Sequence, residues 1–96
     1  MKYFHRTSVP PDAVIGHAGP SFGASLVPVE EGARRRRYAG AIGQLVLSVQ
    51  PEGGHYTLVT VETNQPGESE LDRLAKRFLA EVHTLAEPGH RLRGAY

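Results

Sequence analysis

Leu71, Leu74, Ala75, Phe78, Leu79, Val82, Leu85 and Ala86 recur at spacings of three and four. That places them on one stripe of an α-helix. Glu70, Asp72, Arg73, Lys76, Arg77, Glu81, His83 and Glu87 fall on the other side. The pattern predicts a helix from Ser69 to Glu87. Ser69 is a natural N-cap, because its hydroxyl can accept from a backbone N–H that has no partner inside the helix. Asp72, three residues on, makes a short version of the reciprocal capping box. Glu70 and Asp72 lie at the positive end of the helix dipole, and Pro88-Gly89 stops the helix. The apolar stripe must be buried, so the rest of the chain has to supply a surface for it.

Lys2 to Ser8 reads as a strand, with Tyr3, His5 and Thr7 alternating against Phe4, Arg6 and Ser8. Pro10 suits an N-cap and Pro11 the first position of a helix. Val9 and Val14 then form a hydrophobic staple. Val14, Ala18 and Phe22 share one face. This predicts a helix over residues 11 to 19, weakened by Gly16 and Gly19 and broken or kinked at Pro20. Ala24 to Val29 reads as a strand that lies at an edge or ends at Pro28, which cannot donate to a ladder. Glu30 to Ala33 makes a turn. Arg34 to Gln50 is extended in pattern, but a single strand of that length would run over ~50 Å at ~3.3 Å per residue. A bend or bulge at Gly40 or Gly43 is therefore expected.

Pro51-Glu52-Gly53-Gly54 reads as a four-residue hairpin loop and His55 to Asn64 as the returning strand. That register pairs Val49 with Tyr56, Leu47 with Leu58 and Leu45 with Thr60. The face carrying these residues is the one expected under the last helix. The opposite face would show Val46, Val59 and Val61 to solvent, an apolar patch suited to a second copy of the chain in two-fold symmetry. Gln65 to Glu68 turns into the last helix, and His90 to Tyr96 forms a short basic tail. The domain reading is one unit over residues 1–89 followed by the tail over 90–96.

The resulting order, β-α-β-β-β-α with consecutive antiparallel strands, is an α+β domain: a small antiparallel sheet packed against a long C-terminal helix. It resembles a reduced helix-grip fold, as in START and polyketide-cyclase-like proteins, and also one half of a TATA-binding-protein-like domain. The helix-grip resemblance implies a curved sheet wrapped around the last helix, with a ligand cavity between them. On this reading a small apolar ligand would contact Leu45, Leu47, Tyr56, Leu58, Glu62, Leu74 and Phe78.

Composition narrows the chemistry. Net charge is +1, and there is no cysteine among the 96 residues, which excludes disulfides, thiolate metal sites and cysteine nucleophiles. Met1-Lys2 is followed by Tyr3-Phe4-His5-Arg6 rather than an apolar run, and no stretch approaches the ~20 apolar residues of a membrane span. A cytoplasmic protein is the expectation, and the high Arg, Gly, Ala and Pro content points to a prokaryotic source. His5, His17, His55, His83 and His90 have neither metalloprotease nor zinc-finger spacing. No metal site, cofactor or catalytic residue is therefore assigned. Glycines and Ser21 between Gly16 and Gly23 lack the Gly-Lys-Ser/Thr ending of a P-loop, and no G-x-S-x-G occurs.

Arg34, Arg35, Arg36, Arg37 and Tyr38 form the one conspicuous charge run. Four cations and an aromatic ring can grip phosphates and stack a base. On a strand, however, only alternate arginines share a face, and Glu30 and Glu31 stand just upstream. The leading reading is a small non-enzymatic ligand-binding or interaction module that self-associates. Nucleic-acid binding through the arginine strand is the first alternative. A polyketide-cyclase-like enzyme using Glu62 or Tyr56 as its polar group is the second.

Overall fold

The computed structural model describes residues 1–86. The expected helix stop at Pro88-Gly89 and the tail over 90–96 lie outside the described residues. Seven elements follow in order: β1 (Lys2–Thr7), α1 (Pro11–Phe22), β2 (Val27–Glu31), β3 (Arg35–Gly40), β4 (Gly43–Glu52), β5 (Tyr56–Thr63) and α2 (Glu70–Ala86). The strands form one antiparallel sheet in the order β1-β5-β4-β3-β2. The expected α+β class holds, with the long C-terminal helix across the sheet. Both helices lie on the same face, because Val14, Ile15, Ala18 and Phe22 of α1 and Leu71, Leu74, Ala75, Phe78 and Val82 of α2 share one core with Tyr38, Leu45, Leu47, Val49, Val59 and Val61.

The sheet has five strands where the pattern predicts four. The segment expected as one long bent strand is a hairpin, β3 and β4, reversing at Ala41-Ile42 between the paired Gly40 and Gly43. Gly43 carries φ +130, and a Cβ there would lie 2.7 Å from Asn64 Oδ1 and 3.0 Å from Leu71 Cδ2. Only glycine satisfies both the backbone and the space. The apolar Ala41-Ile42 concealed the turn, since Ile42 is half-buried against the core and does not look like a loop residue.

The second correction concerns register. β4 does not stop at Gln50 but runs through Pro51 and Glu52, and the turn takes Gly53, Gly54 and His55 with φ +64 and +79 at the glycines. Pro51 is tolerated because the Val49 N–H points toward β3, donating to Arg34 O at 2.9 Å. The nitrogen of Pro51, two residues on, points the same way, past the first residue of β3, so no ladder bond is lost. Leu45 therefore pairs with Thr63, Leu47 with Val61 and Val49 with Val59. A shift of three residues is odd, so every side chain of β5 exchanges faces relative to expectation. Val59 and Val61 are fully buried under the helices, and Tyr56, Leu58 and Glu62 turn to the other side.

Other boundaries moved for local reasons. Pro10 is the N-cap of α1, its carbonyl accepting from Ala13 and Val14, and Val9 and Val14 are both buried in the core. The helix passes through Pro20 to Phe22. The Gly16 carbonyl that Pro20 leaves without a donor lies on the exposed side, where water can replace the bond. β2 starts three residues later than expected, because Ser25 and Leu26 still donate to the Phe22 carbonyl. Pro28 sits on the edge strand, as expected, next to a register irregularity before Glu30. Glu30 and Glu31 belong to this strand rather than to the turn.

Candidate functional site: the open face of the sheet

With both helices on one side, the other face of the sheet is uncovered by any described element. Cross-strand register places its side chains in rows. Lys2, Glu62, Val46, Arg37 and Glu30 make one row; Phe4, Thr60, Ser48 and Arg35 the next; Arg6, Leu58 and Gln50 a third; Tyr56 and Glu52 the last. Several of its charges are paired. Arg6 bridges Glu52. Arg35 Nη1 and Arg37 Nε share the two oxygens of Glu30 at 3.1 and 2.9 Å, and Lys2 stands opposite Glu62. Val46, Ser48, Leu58 and Thr60 are half-buried around a concavity of about 370 Å³ that Phe4, Gln50, Lys2, Arg35 and Glu62 also line. Phe4 protrudes, 61% exposed.

The structure splits the ligand set expected from the sequence. Leu45, Leu47 and Phe78 have no accessible surface and Leu74 only 6%. Side chains without surface that a water-sized sphere can touch border no void able to hold a ligand, so Leu45, Leu47 and Phe78 form dry core. Leu58 and Glu62 line the concavity on the opposite face. Tyr56 is exposed near the hairpin turn, with the Arg6 guanidinium 6.0 Å from its ring centre. The expected self-association patch is split in the same way: Val46 is on the open face, while Val59 and Val61 are core. The sequence reading missed Phe4, Ser48 and Thr60. Their period-two alternation with buried neighbours was legible, but which side the helices would cover was not.

Tyr38, expected to stack a base, is 2% exposed and packs its ring 5.2 Å from that of Phe22. Of the arginine run, Arg35 and Arg37 are engaged by Glu30, and Arg36 donates to the Gly32 carbonyl at 2.9 Å and lies 3.8 Å from Glu31. Arg35, Arg36 and Arg37 are thus charge-paired with the edge strand β2, and Arg34 precedes β3. Glu62 is exposed at the end of the sheet and Tyr56 is exposed as well, so neither stands in an enclosed cavity where cyclase-type acid–base chemistry would need it. Among the described residues, no group of three or more His, Asp or Glu could hold a metal ion. No helix among them is long and apolar enough to cross a membrane.

Two polar clusters tie the helices to the fold. Asp72, placed on the polar side of its helix by the pattern, is fully buried. Its carboxylate accepts from Ser69 Oγ at 2.5 Å, Tyr3 Oη at 2.7 Å and Thr63 Oγ1 at 2.9 Å, and its own N–H donates back to Ser69 Oγ at 3.1 Å. Half of the expected capping box is formed, with the Ser69 hydroxyl accepting from the Asp72 N–H; the Asp72 carboxylate, instead of reaching the Ser69 N–H, takes the Ser69 hydroxyl and ties the helix start to β1 and β5. Burial alone would raise the Asp72 pKa, but the three hydrogen bonds outweigh it and hold the group below its usual range. The same bond, with burial and the carboxylate charge, pushes Tyr3 up to about 12. Between the helices, Glu81 Oε1 is shared by His17 Nε2 and Ser21 Oγ, both at 2.9 Å. Burial pushes Glu81 up, but these bonds and the nearby charges leave it lowered. Ser21 donates to a carboxylate rather than to a histidine, so the cluster is a clasp and not an activated nucleophile.

No family model matches the sequence, and no curated protein matches it. Among solved structures, the chain is similar to a START superfamily protein from Mycobacterium smegmatis, at 13% sequence identity over 92% of this chain and 97% of that one, with a TM-score of 0.44.

Proposed function

We propose that the chain is a non-enzymatic binding module whose working surface is the open face of the sheet, and that this face pairs with a second copy of the chain. The observation that carries the reading is the layout of that face. Val46, Ser48, Leu58 and Thr60 run together as neutral side chains across a face on which Arg6 is paired with Glu52 and Arg35 and Arg37 with Glu30, and a stretch depleted of free charge is what a protein interface places where water is excluded. Phe4 stands beside a concavity lined by Val46 and Leu58. In a two-fold arrangement each Phe4 enters the partner's concavity, an aromatic anchor in a pocket. Five strands spaced ~4.8 Å apart and ~20 Å long give a footprint near ~500 Å² before side-chain relief. That is of the same order as the ~800 Å² per partner of a standard interface.

Native mass spectrometry at low salt, over a range of protein concentrations, tests this. The dimer is expected, and Phe4→Arg and Val46→Arg should each weaken it at least about tenfold, because each drives a charge into the desolvated centre. Both positions face away from the core, so circular dichroism should show the fold unchanged. A monomer at every concentration, or a dimer indifferent to both substitutions, overturns the reading. A monomer that carries a small-molecule adduct lost in Val46→Arg would assign the concavity to a ligand instead.

A further inference from the structure

Helix α2 meets its neighbours through polar groups at its start, on its α1 side and on its β1 side, and the last of these contacts differs in kind. At the start, the Asp72 carboxylate accepts from Ser69, Tyr3 and Thr63. On the α1 side, the Glu81 carboxylate is shared by His17 and Ser21. On the β1 side, His83 stands edge-on to His5, with ring centres 5.9 Å apart. The first two contacts join a carboxylate to donors. The third joins two bases, and the buried His5 Nε2 has no hydrogen-bond partner.

His5 alternates with Phe4 and Arg6 along β1, so its ring lies on the helix-covered side. There β5 places Val59 opposite it, with Thr57 and Val61 to either side, and none of the three is charged. From α2, His83 faces it, and Lys76 lies farther back, 5.5 Å from the Tyr3 ring centre. The carboxylates of Asp72 and Glu81 are engaged as described, away from His5. A neutral ring suits this site. Protonation makes both ring nitrogens donors. Nε2 then becomes a buried donor without an acceptor, and a charged His83 repels the new charge. Burial first and His83 second hold His5 below its ordinary value of 6.5, in line with this geometry.

We propose that His5 and His83 form a proton-operated latch, which holds the end of α2 against β1 at neutral pH and lets go in mild acid while the other two contacts hold. The released form hydrates His5, which then takes up a proton at its ordinary value. The latch is therefore at full strength above 6.5 and weakens as pH falls below it. The Asp72 contact survives this range, because its carboxylate is held below 3.8. Release uncovers Leu79, one turn before His83 and half-buried against the core. Protons thus expose apolar surface at one end of the helix only. The latch lies on the opposite side of the sheet from Phe4 and Val46 and is independent of the pairing proposed for them.

Amide hydrogen exchange, corrected for intrinsic rates and compared at about pH 7.5 and about pH 5, tests this. Protection at Val82, His83 and Thr84 should fall severalfold in acid, with a ceiling of about thirtyfold set by the ordinary histidine value. Leu74 and Ala75 should keep theirs. His5→Leu should abolish the fall, and His5→Phe should do the same if the smaller side chain weakens the fold. His83→Gln, at an exposed position, should leave a smaller fall, because the burial of His5 remains. Undiminished protection at pH 5, the same fall in both His5 variants, or an equal loss at Leu74 and Ala75 would each overturn the latch.

Discussion

The two faces of the sheet are made by the same strands, often by adjacent residues, yet they obey different rules. On β4, Leu45, Leu47 and Val49 are at most 3% exposed, whereas Val46 and Ser48, one residue along, are only half-buried and Gln50 is exposed. The covered face is almost wholly apolar; Thr63 there is bonded to Asp72, while the buried His5 Nε2, near His83, has no hydrogen-bond partner. The open face mixes Phe4 and Leu58 with paired charges. The covered face carries stability, because every atom there is in contact and any loss leaves a cavity. The open face is free to carry recognition, because little of the fold depends on it.

The sharpest way to break this comparison is to truncate one phenylalanine on each side. Phe78→Ala, in the covered core, should cost about 3–5 kcal/mol in chemical denaturation. Phe4→Ala, measured where the protein is monomeric, should stay within about 0.5 kcal/mol. Similar costs at both positions would mean that the open face is structural too. Next in size is Asp72→Ala, which leaves three donors without their acceptor in a buried site and should cost roughly 3 kcal/mol. Gly43→Ala should cost about 1–3 kcal/mol, since it forces a side chain into positive φ against Asn64. Were it neutral, the two-residue reversal between β3 and β4 would be in error.

The titrations are smaller effects that sharpen the same picture. The lowered Asp72 pKa means its contribution is complete above the unfolded value of 3.8 and is lost as pH falls through the folded one. Asp72→Asn should therefore flatten the acid limb of the stability curve. Tyr3, raised to about 12, contributes fully below the unfolded value of 10.0, and that contribution disappears as pH rises through the folded pKa. Ultraviolet titration should show one phenol ionising near pH 12, and Asp72→Asn should bring it back toward its ordinary range. A chain whose phenols all titrate together would remove the Tyr3–Asp72 bond. His5 is lowered first by burial and then by His83, whose ring lies 5.9 Å away edge-on. Its share of stability is complete above 6.5 and declines as pH falls. In proton NMR, His83→Ala should restore the His5 pKa only in part, since burial remains; a full return would make His83 the larger cause.

Much of this was legible in the residues themselves. The stripe from Leu71 to Val82, the Ser69 cap, the proline start of α1 and the edge position of Pro28 follow from local periodicity and backbone chemistry, which the chain carries wherever it folds. The class followed as well, because a long amphipathic helix and alternating strands have few ways to bury both. Which face of each strand the helices would cover depended on something finer. The parity of one loop decides it: a three-residue turn in place of four, with the strand extended through Pro51, sends Leu58 and Glu62 outward and Val59 and Val61 inward. Alternation separates two sets of side chains but does not say which set meets a partner. That choice is made in space, where the alignment of β4 with β5 that buries the most apolar surface under Phe78 and Leu74 prevails. The open face and Phe4 at its margin follow from that alignment and from the hairpin at Gly43, so only the tertiary structure could reveal them.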